Sequence, residues 1–181
     1  IARLNPRKIV IFDGDTFCYS NLNRQLFCNY NTLGLNKAIC AKAAICNYTT
    51  SEVIANCENL TQENSFMLEH FDVIMDATDN LEVRYLLQDV CNKYNVPVIH
   101  GAINGLFGQV AVIKPESMLL SKLNTTKKTL PAGVTMSYVP SLIASVQVSE
   151  MVKLMAGIST LKDDQLIIID LLTNDARIIT L

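Results

Sequence analysis

The chain has 181 residues, half of them hydrophobic, which is enough to bury one core of ordinary domain size, and its formal net charge is −2. With no long basic block, that balance argues against a nucleic-acid surface, whose affinity comes mainly from neutralising phosphates. Six cysteines (Cys18, Cys28, Cys40, Cys46, Cys57 and Cys91) occur without a Cys-x-x-Cys pair and with only His70 and His100 as imidazole donors. Reduced thiols are therefore expected rather than a disulfide framework, and a zinc site is not expected.

In chain order, Lys8 to Phe12 reads as a buried strand. Asp13, Gly14 and Asp15 close that strand. The polar run Ser20, Asn21, Leu22, Asn23, Arg24, Gln25 follows, with Gly34 and Lys37 beyond. A helix is expected from Gly34 to about Cys46, with Ala, Ile and Cys on its inner side. Val53 to Cys57 suits a strand, Glu63 to His70 a short helix, and Asp72 to Met75 another strand. Leu81 to Tyr94 is expected to be a helix with Leu81, Tyr85 and Val90 facing inward, and Pro97 to Ala102 returns as a strand.

Gly105 and Gly108 suggest a turn before a strand from Gln109 to Lys114. The segment from Lys114 to Ala132 reads as a mobile polar loop, with Ser117, Ser121 and Thr125 to Lys128. Val139 to Met155 is apolar, but Gln147, Glu150 and Lys153 interrupt it short of a membrane span, so a core helix is expected. Gln165 to Asp170 and Arg177 to Leu181 form a hairpin pattern around Thr173, Asn174 and Asp175. No secretory signal pattern opens the chain, and a cytoplasmic location is expected.

Strands alternating with helices at these spacings predict an α/β fold in one domain, a Rossmann-like doubly wound sheet with a parallel first half and a mixed C-terminal half. Such sheets place ligands beyond the carboxyl ends of their strands, where Asp13 and Asp79 fall. Asp13 can accept hydrogen bonds from ribose hydroxyls, or simply close a turn. Arg24 offers a rigid fork for phosphate oxygens. Lys37 is a mobile point charge at a helix start, or a solvated surface lysine. Asp79 can cap the helix that follows it or serve a magnesium ion, which prefers oxygen ligands. His100, ending a buried strand, reads as a satisfied core histidine, and Cys91 as a small apolar residue.

The run from Asp13 to Gln25 with Gly34 and Lys37 is followed in order by Asp76, Ala77, Thr78, Asp79, Asn80 and Arg84, then Gly101 and Ala102, then Gly105, Gly108 and Gln109. Together these segments resemble the ThiF/MoeB/HesA family, prokaryotic relatives of ubiquitin-activating enzymes, over nearly the whole chain. The family opens with a strand, a glycine-rich turn and a helix, and the present sequence starts where that helix ends. The family's paired Cys-x-x-Cys zinc motifs are absent, as is any cysteine in the stretch from Lys114 to Ala132, where the family carries a crossover loop over its carrier's tail.

The resemblance implies an adenylyltransferase that uses ATP and magnesium to adenylate the C-terminal carboxylate of a ubiquitin-like sulfur-carrier protein ending in Gly-Gly, in thiamine or molybdenum-cofactor biosynthesis. It implies nucleotide-binding roles for Asp13, Asp15, Asn21, Arg24, Gln25, Lys37, Asp79 and Asn80. Arg24, Lys37 and Asp79 would carry the catalysis, with Asp79 as the magnesium-linked carboxylate and Asp15 as a second candidate. It further implies a homodimer, with apolar surface near Leu106, Phe107 and the helix from Val139 to Met155. Other readings are a related ATP-using enzyme acting on another carboxylate or a tRNA base, and a non-catalytic partner that binds a carrier.

Overall fold

The apolar, β-branched run Lys8–Phe12 forms strand β1, which pairs in parallel with β2 (Glu52–Asn56) in the register Lys8↔Glu52 to Phe12↔Asn56. Helix α1 (Lys37–Ile45) crosses between them and packs on both. The computed structural model describes residues 1–117, 119–125, 135–158 and 161–181, and the chain divides into two units, Ile1–Leu60 and Thr61–Leu181. In the first unit Phe17, Cys28 and Cys40 form a small core, with Leu22, Phe27 and Leu33 packed against it. Ala2–Leu4 is a 3-10 turn.

Helix α1 begins three residues later than the sequence suggests. Asn36 takes an extended conformation and its side-chain oxygen accepts from the Ile39 amide, so it is the N-cap, while Gly34 sits at φ 80° in the preceding turn. The buried side of α1 is Ala38 and Cys40; Ile39 and Cys46 are exposed.

The second unit is a five-stranded sheet in the order β3–β4–β5–β6–β7, formed by Ile74–Asp76, Val98–Asn104, Phe107–Ile113, Gln165–Asp170 and Asp175–Thr180. The β3–β4 pair is parallel and the rest are antiparallel, so the expected order of parallel strands followed by mixed ones holds. Helix α2 (Leu81–Tyr94) makes the crossover that parallel β3 and β4 require. Its inward stripe is Leu87, Val90 and Cys91, at i, i+3 and i+4. Tyr85, two residues from Leu87, is turned about 200° away from it, so Tyr85 and Leu81 are largely exposed rather than inward-facing.

Gly105, at φ 60°, opens the two-residue turn between paired Asn104 and Phe107. Gly108 lies inside β5 rather than in that turn. A Cβ there would meet Ile143 at 2.1 Å, and one on Gly101 would meet the Gln147 amide at 2.4 Å. The two glycines thus let helix α4 (Tyr138–Met155) lie close on β4 and β5. Ile99, Val110, Val112, Ile143, Met151, Leu161 and Ile169 form the core of this unit. Burial of those side chains at roughly 1.5–3 kcal/mol each is its main stabilisation.

The polar segment expected from Lys114 to Ala132 contains helix α3 (Leu119–Thr125). Buried Leu119 and Leu120 anchor it, and the buried Ser117 hydroxyl accepts from the Leu119 amide at its start. Residues 126–132 of that expected loop lie outside the described residues. The β6–β7 hairpin forms as expected, although β7 starts at Asp175 and Asn174 takes the left-handed conformation of the turn. Among the described residues no helix is long and apolar enough to cross a membrane.

Candidate functional site

In the Ile1–Leu60 unit, the carboxyl end of β1 and the start of α1 are tied together by Asn36. Its side-chain nitrogen donates to the Asp13 carbonyl at 2.9 Å and to the Asp15 carbonyl at 3.1 Å, while the Lys37 amide donates to the same Asp15 carbonyl at 2.9 Å. Asp13 Oδ1 accepts from the Asp15 amide at 3.0 Å, an Asx turn. Lys37 Nζ pairs with Asp15 Oδ2 at 2.8 Å. Asp13, Asp15 and Lys37 are thus brought together by one residue, Asn36, that the sequence reading passed over. An Asn directly before a helix-forming run is the signal that could have found it.

The polar run of residues 20–25 forms a second cluster. Asn21 is buried; its Oδ1 accepts from the Cys18 amide at 3.1 Å, and its carbonyl accepts from the amides of Arg24 and Gln25. The Arg24 guanidinium folds onto its own turn, donating to the Ser20 carbonyl at 2.6 Å and to Asn23 Oδ1 at 2.9 Å. Asn21 therefore shapes the turn, whereas half-buried Arg24 and Gln25 are displayed by it.

The same turn conditions a thiol. The hydrogen bond with the Ser20 hydroxyl, 3.0 Å away, lowers the Cys18 pKa below its ordinary value of 9.0, and the Lys37 charge adds to the effect. Burial raises Cys28, and burial pushes Cys91 up to about 11. Alkylation follows the thiolate, so in the native protein at neutral pH iodoacetamide is expected to label Cys18 faster than Cys46 and Cys57, which are also exposed, and long before Cys28 or Cys91. Peptide mass spectrometry over a time course checks this; Cys46 leading Cys18 would contradict it.

In the Thr61–Leu181 unit, β3 ends at Asp76, which is 1% exposed. Asp76 Oδ1 accepts from the Thr78 amide at 2.9 Å and from the Thr78 hydroxyl at 2.8 Å, and Oδ2 accepts from His100 Nδ1 at 2.7 Å. The Arg84 Nε lies 3.3 Å from that same oxygen but is buried without a hydrogen bond, while Arg84 Nη2 donates to the Thr78 carbonyl. His100 Nε2 is paired with the Gln109 side-chain amide at 3.1 Å. Gln147 Nε2 donates to the carbonyls of Asp76, at 2.8 Å, and Ile99, at 3.0 Å.

Burial works against ionising Asp76. The hydrogen bond and charge of His100, the Thr78 amide and the Arg84 charge outweigh it and hold the carboxyl below its ordinary value of 3.8. His100 is the satisfied core histidine the sequence suggests, and Arg84 is bound to the turn. Asp76 itself was quoted in the sequence motif without a role.

Asp79 follows two residues after the anchored turn begins. It is not the helix cap: Asn80 is, its side chain accepting from the Glu82 amide at 2.8 Å. An extended Asn one residue nearer the helix takes the capping position, and Asp79 is left exposed, with no hydrogen-bond or ion-pair partner among the described residues. A small pocket of about 30 Å³ lies beside this network, lined by Leu81, Arg84, Tyr85, His100, Gln109, Leu120 and Leu123. Among the described residues no group of three or more His, Cys, Asp or Glu could hold a metal ion alone. An exposed carboxylate just beyond a strand end still fits magnesium, which keeps waters and takes phosphate oxygens beside one or two protein carboxylates.

Parallel strands that end in acidic residues, followed by helices, define a Rossmann-type α/β protein of the kind that carries nucleotides at its strand ends. The chain belongs to the ThiF family, whose model matches residues 1–181. It is similar to a probable molybdopterin-synthase adenylyltransferase of Porphyra purpurea, 30% identical over 160 residues, covering 83% of this chain and 42% of that protein. It is also similar to the SAMP-activating enzyme E1 of Haloferax volcanii, 27% identical over 179 residues, covering 94% of this chain and 66% of that enzyme. In fold it matches crystal structures of E. coli MccB, one of MccB at TM-score 0.78 and 16% identity and one of MccB with ATP at TM-score 0.75 and 15% identity; the shares covered are 99% and 96% of this chain, and 56% and 55% of those chains. The chain thus spans less than two thirds of the length of these relatives.

Proposed function

We propose that this chain is a single adenylation domain that uses ATP to activate the C-terminal carboxylate of a ubiquitin-like sulfur-carrier protein ending in Gly-Gly. The observation that carries the reading is the family match over all 181 residues, with relatives named as a molybdopterin-synthase adenylyltransferase and a SAMP-activating enzyme. In the reaction a carrier carboxylate oxygen attacks the α-phosphorus of ATP. A phosphorus–oxygen bond forms, the bond to the leaving pyrophosphate breaks, and an acyl adenylate results. The carboxylate is already ionised at neutral pH, so no strong base is needed, and the task is alignment and charge neutralisation.

The residues divide by what each can supply. Asp13 offers its carboxylate to ribose hydroxyls, Asn21 and Gln25 build and line the turn, and Arg24 and Lys37 supply positive charge to phosphate oxygens. Asp15 holds Lys37 until a phosphate competes for it. Asp79 would hold magnesium, with Asn80 fixing the helix start behind it. When bound, that ion neutralises charge on the phosphate oxygens. We further propose a cytoplasmic homodimer serving thiamine or molybdenum-cofactor biosynthesis; exposed Phe107, Tyr138, Leu142 and Met155 are apolar surface that a second copy could cover.

The test is exchange of labelled pyrophosphate into ATP by the full-length protein, with and without carriers ending in Gly-Gly. Exchange that depends on a carrier is expected, together with a carrier mass increased by one AMP. Absence of both with sulfur carriers of either pathway would sink the reading. Sedimentation of the active protein checks the dimer, and activity from a species that stays monomeric at micromolar concentration would refute it.

A further inference from the structure

Among the described residues, Asp79 is the one polar side chain left unengaged in a turn where its neighbours are all committed. Thr78 before it is held by three contacts: its amide and hydroxyl donate to Asp76 Oδ1, and its carbonyl accepts from Arg84. Asn80 after it caps α2. Asp76, three residues upstream, is fixed at its carbonyl by Gln147 and at its second oxygen by His100. His100 sits directly opposite Asp76 in the β3–β4 register, so the buried sheet reaches the exposed turn through one carboxylate.

We infer that Thr78 and His100, acting through Asp76, are positioning residues that hold the Asp79 carboxylate where a metal–nucleotide complex takes it up. The inference rests on the reading of Asp79 as the magnesium carboxylate. A buried carboxylate that accepted only from its own turn would leave that turn free to pivot about the strand end. The His100 contact closes this freedom, because it joins Asp76 to the neighbouring strand, and the Thr78 hydroxyl adds a second bond to the amide's, which fixes the direction in which the chain leaves β3. Partners behind a metal ligand, though they never touch the ion, typically change its affinity by about 10–100-fold.

The experiment is binding of Mn²⁺·ATP to the full-length protein, read from the free Mn²⁺ signal by electron paramagnetic resonance, beside binding of ATP in EDTA and thermal unfolding. Thr78→Val, which keeps the shape and removes the hydroxyl, and His100→Leu should each weaken Mn²⁺·ATP about tenfold and leave metal-free ATP binding unchanged. His100→Asn, whose amide can still donate to Asp76, should bind within about threefold of wild type. Thr78→Val carries the test if His100→Leu fails to fold. If Asp79→Asn weakens metal-nucleotide binding and Thr78→Val does not, positioning is overturned while the magnesium reading stands. Equal loss of metal-free and metal-bound ATP also overturns it. If Asp79→Asn itself has no effect, or the wild type binds no Mn²⁺·ATP, both fall together.

Discussion

Asp79→Ala, Lys37→Ala and Arg24→Ala are each expected to reduce carrier-dependent pyrophosphate exchange by about 10²–10³-fold, the cost of removing one group aimed at charge that develops in a transition state. The fold should survive all three. Among the described residues Asp79 is exposed and unpaired and Arg24 bonds only within its own turn, and the Lys37 pair is with an exposed carboxylate, the kind of contact worth about 0–1 kcal/mol. The three variants should differ in what restores them. Raising magnesium should recover part of the Asp79→Ala loss, because losing one protein oxygen weakens the ion's binding and mass action refills the site, but should do little for Lys37→Ala or Arg24→Ala. An Asp79→Ala protein exchanging at the wild-type rate with its carrier would remove the magnesium assignment.

What the sequence made legible, and what it hid, divides along the range of the interactions involved. β1 at Lys8–Phe12 and α2 at Leu81–Tyr94 were read with their exact residue limits because local patterns set them: an apolar run closed by Asp-Gly, and a helix between two Asn residues. Helix α1 starts at Lys37 rather than Gly34 because a capping hydrogen bond, from the Ile39 amide to the Asn36 side chain, fixes its first turn, and the apolar pattern beyond Gly34 does not carry that information. Helix α3 was hidden among Ser, Lys and Thr, and only the tertiary burial of Leu119 and Leu120 reveals why it forms. The inward face of α2 was half misread because its first turn carries large apolar residues, Leu81 and Tyr85, that border a pocket instead of the core. Asp79 was visible through its motif. Asp76 was not, because its importance depends on the pairing that sets it opposite His100, 24 residues away, and on Gln147, 71 residues away.

Asp76→Ala is expected to be the most destabilising single change at the site, by about 3–5 kcal/mol, because it deletes the acceptor of three donors and strands a mostly buried Arg84 charge. Asp76→Asn keeps the size and most of the acceptor geometry, so its cost should be smaller, about 1–3 kcal/mol. The two variants also separate charge from shape through pH. The folded-state pKa of Asp76 lies below the ordinary 3.8, so the folded protein binds the proton less readily than the unfolded chain. Its contribution is therefore fully present above that ordinary value and is lost as pH falls below it, through the depressed folded value. Urea midpoints should consequently drop in wild type between pH 5 and pH 3 at constant m, and Asp76→Asn, having no carboxylate there, should show a shallower drop from a lower start. An Asn variant that loses stability with acid as steeply as wild type would show that other carboxylates, not Asp76, carry the acid sensitivity of this sheet.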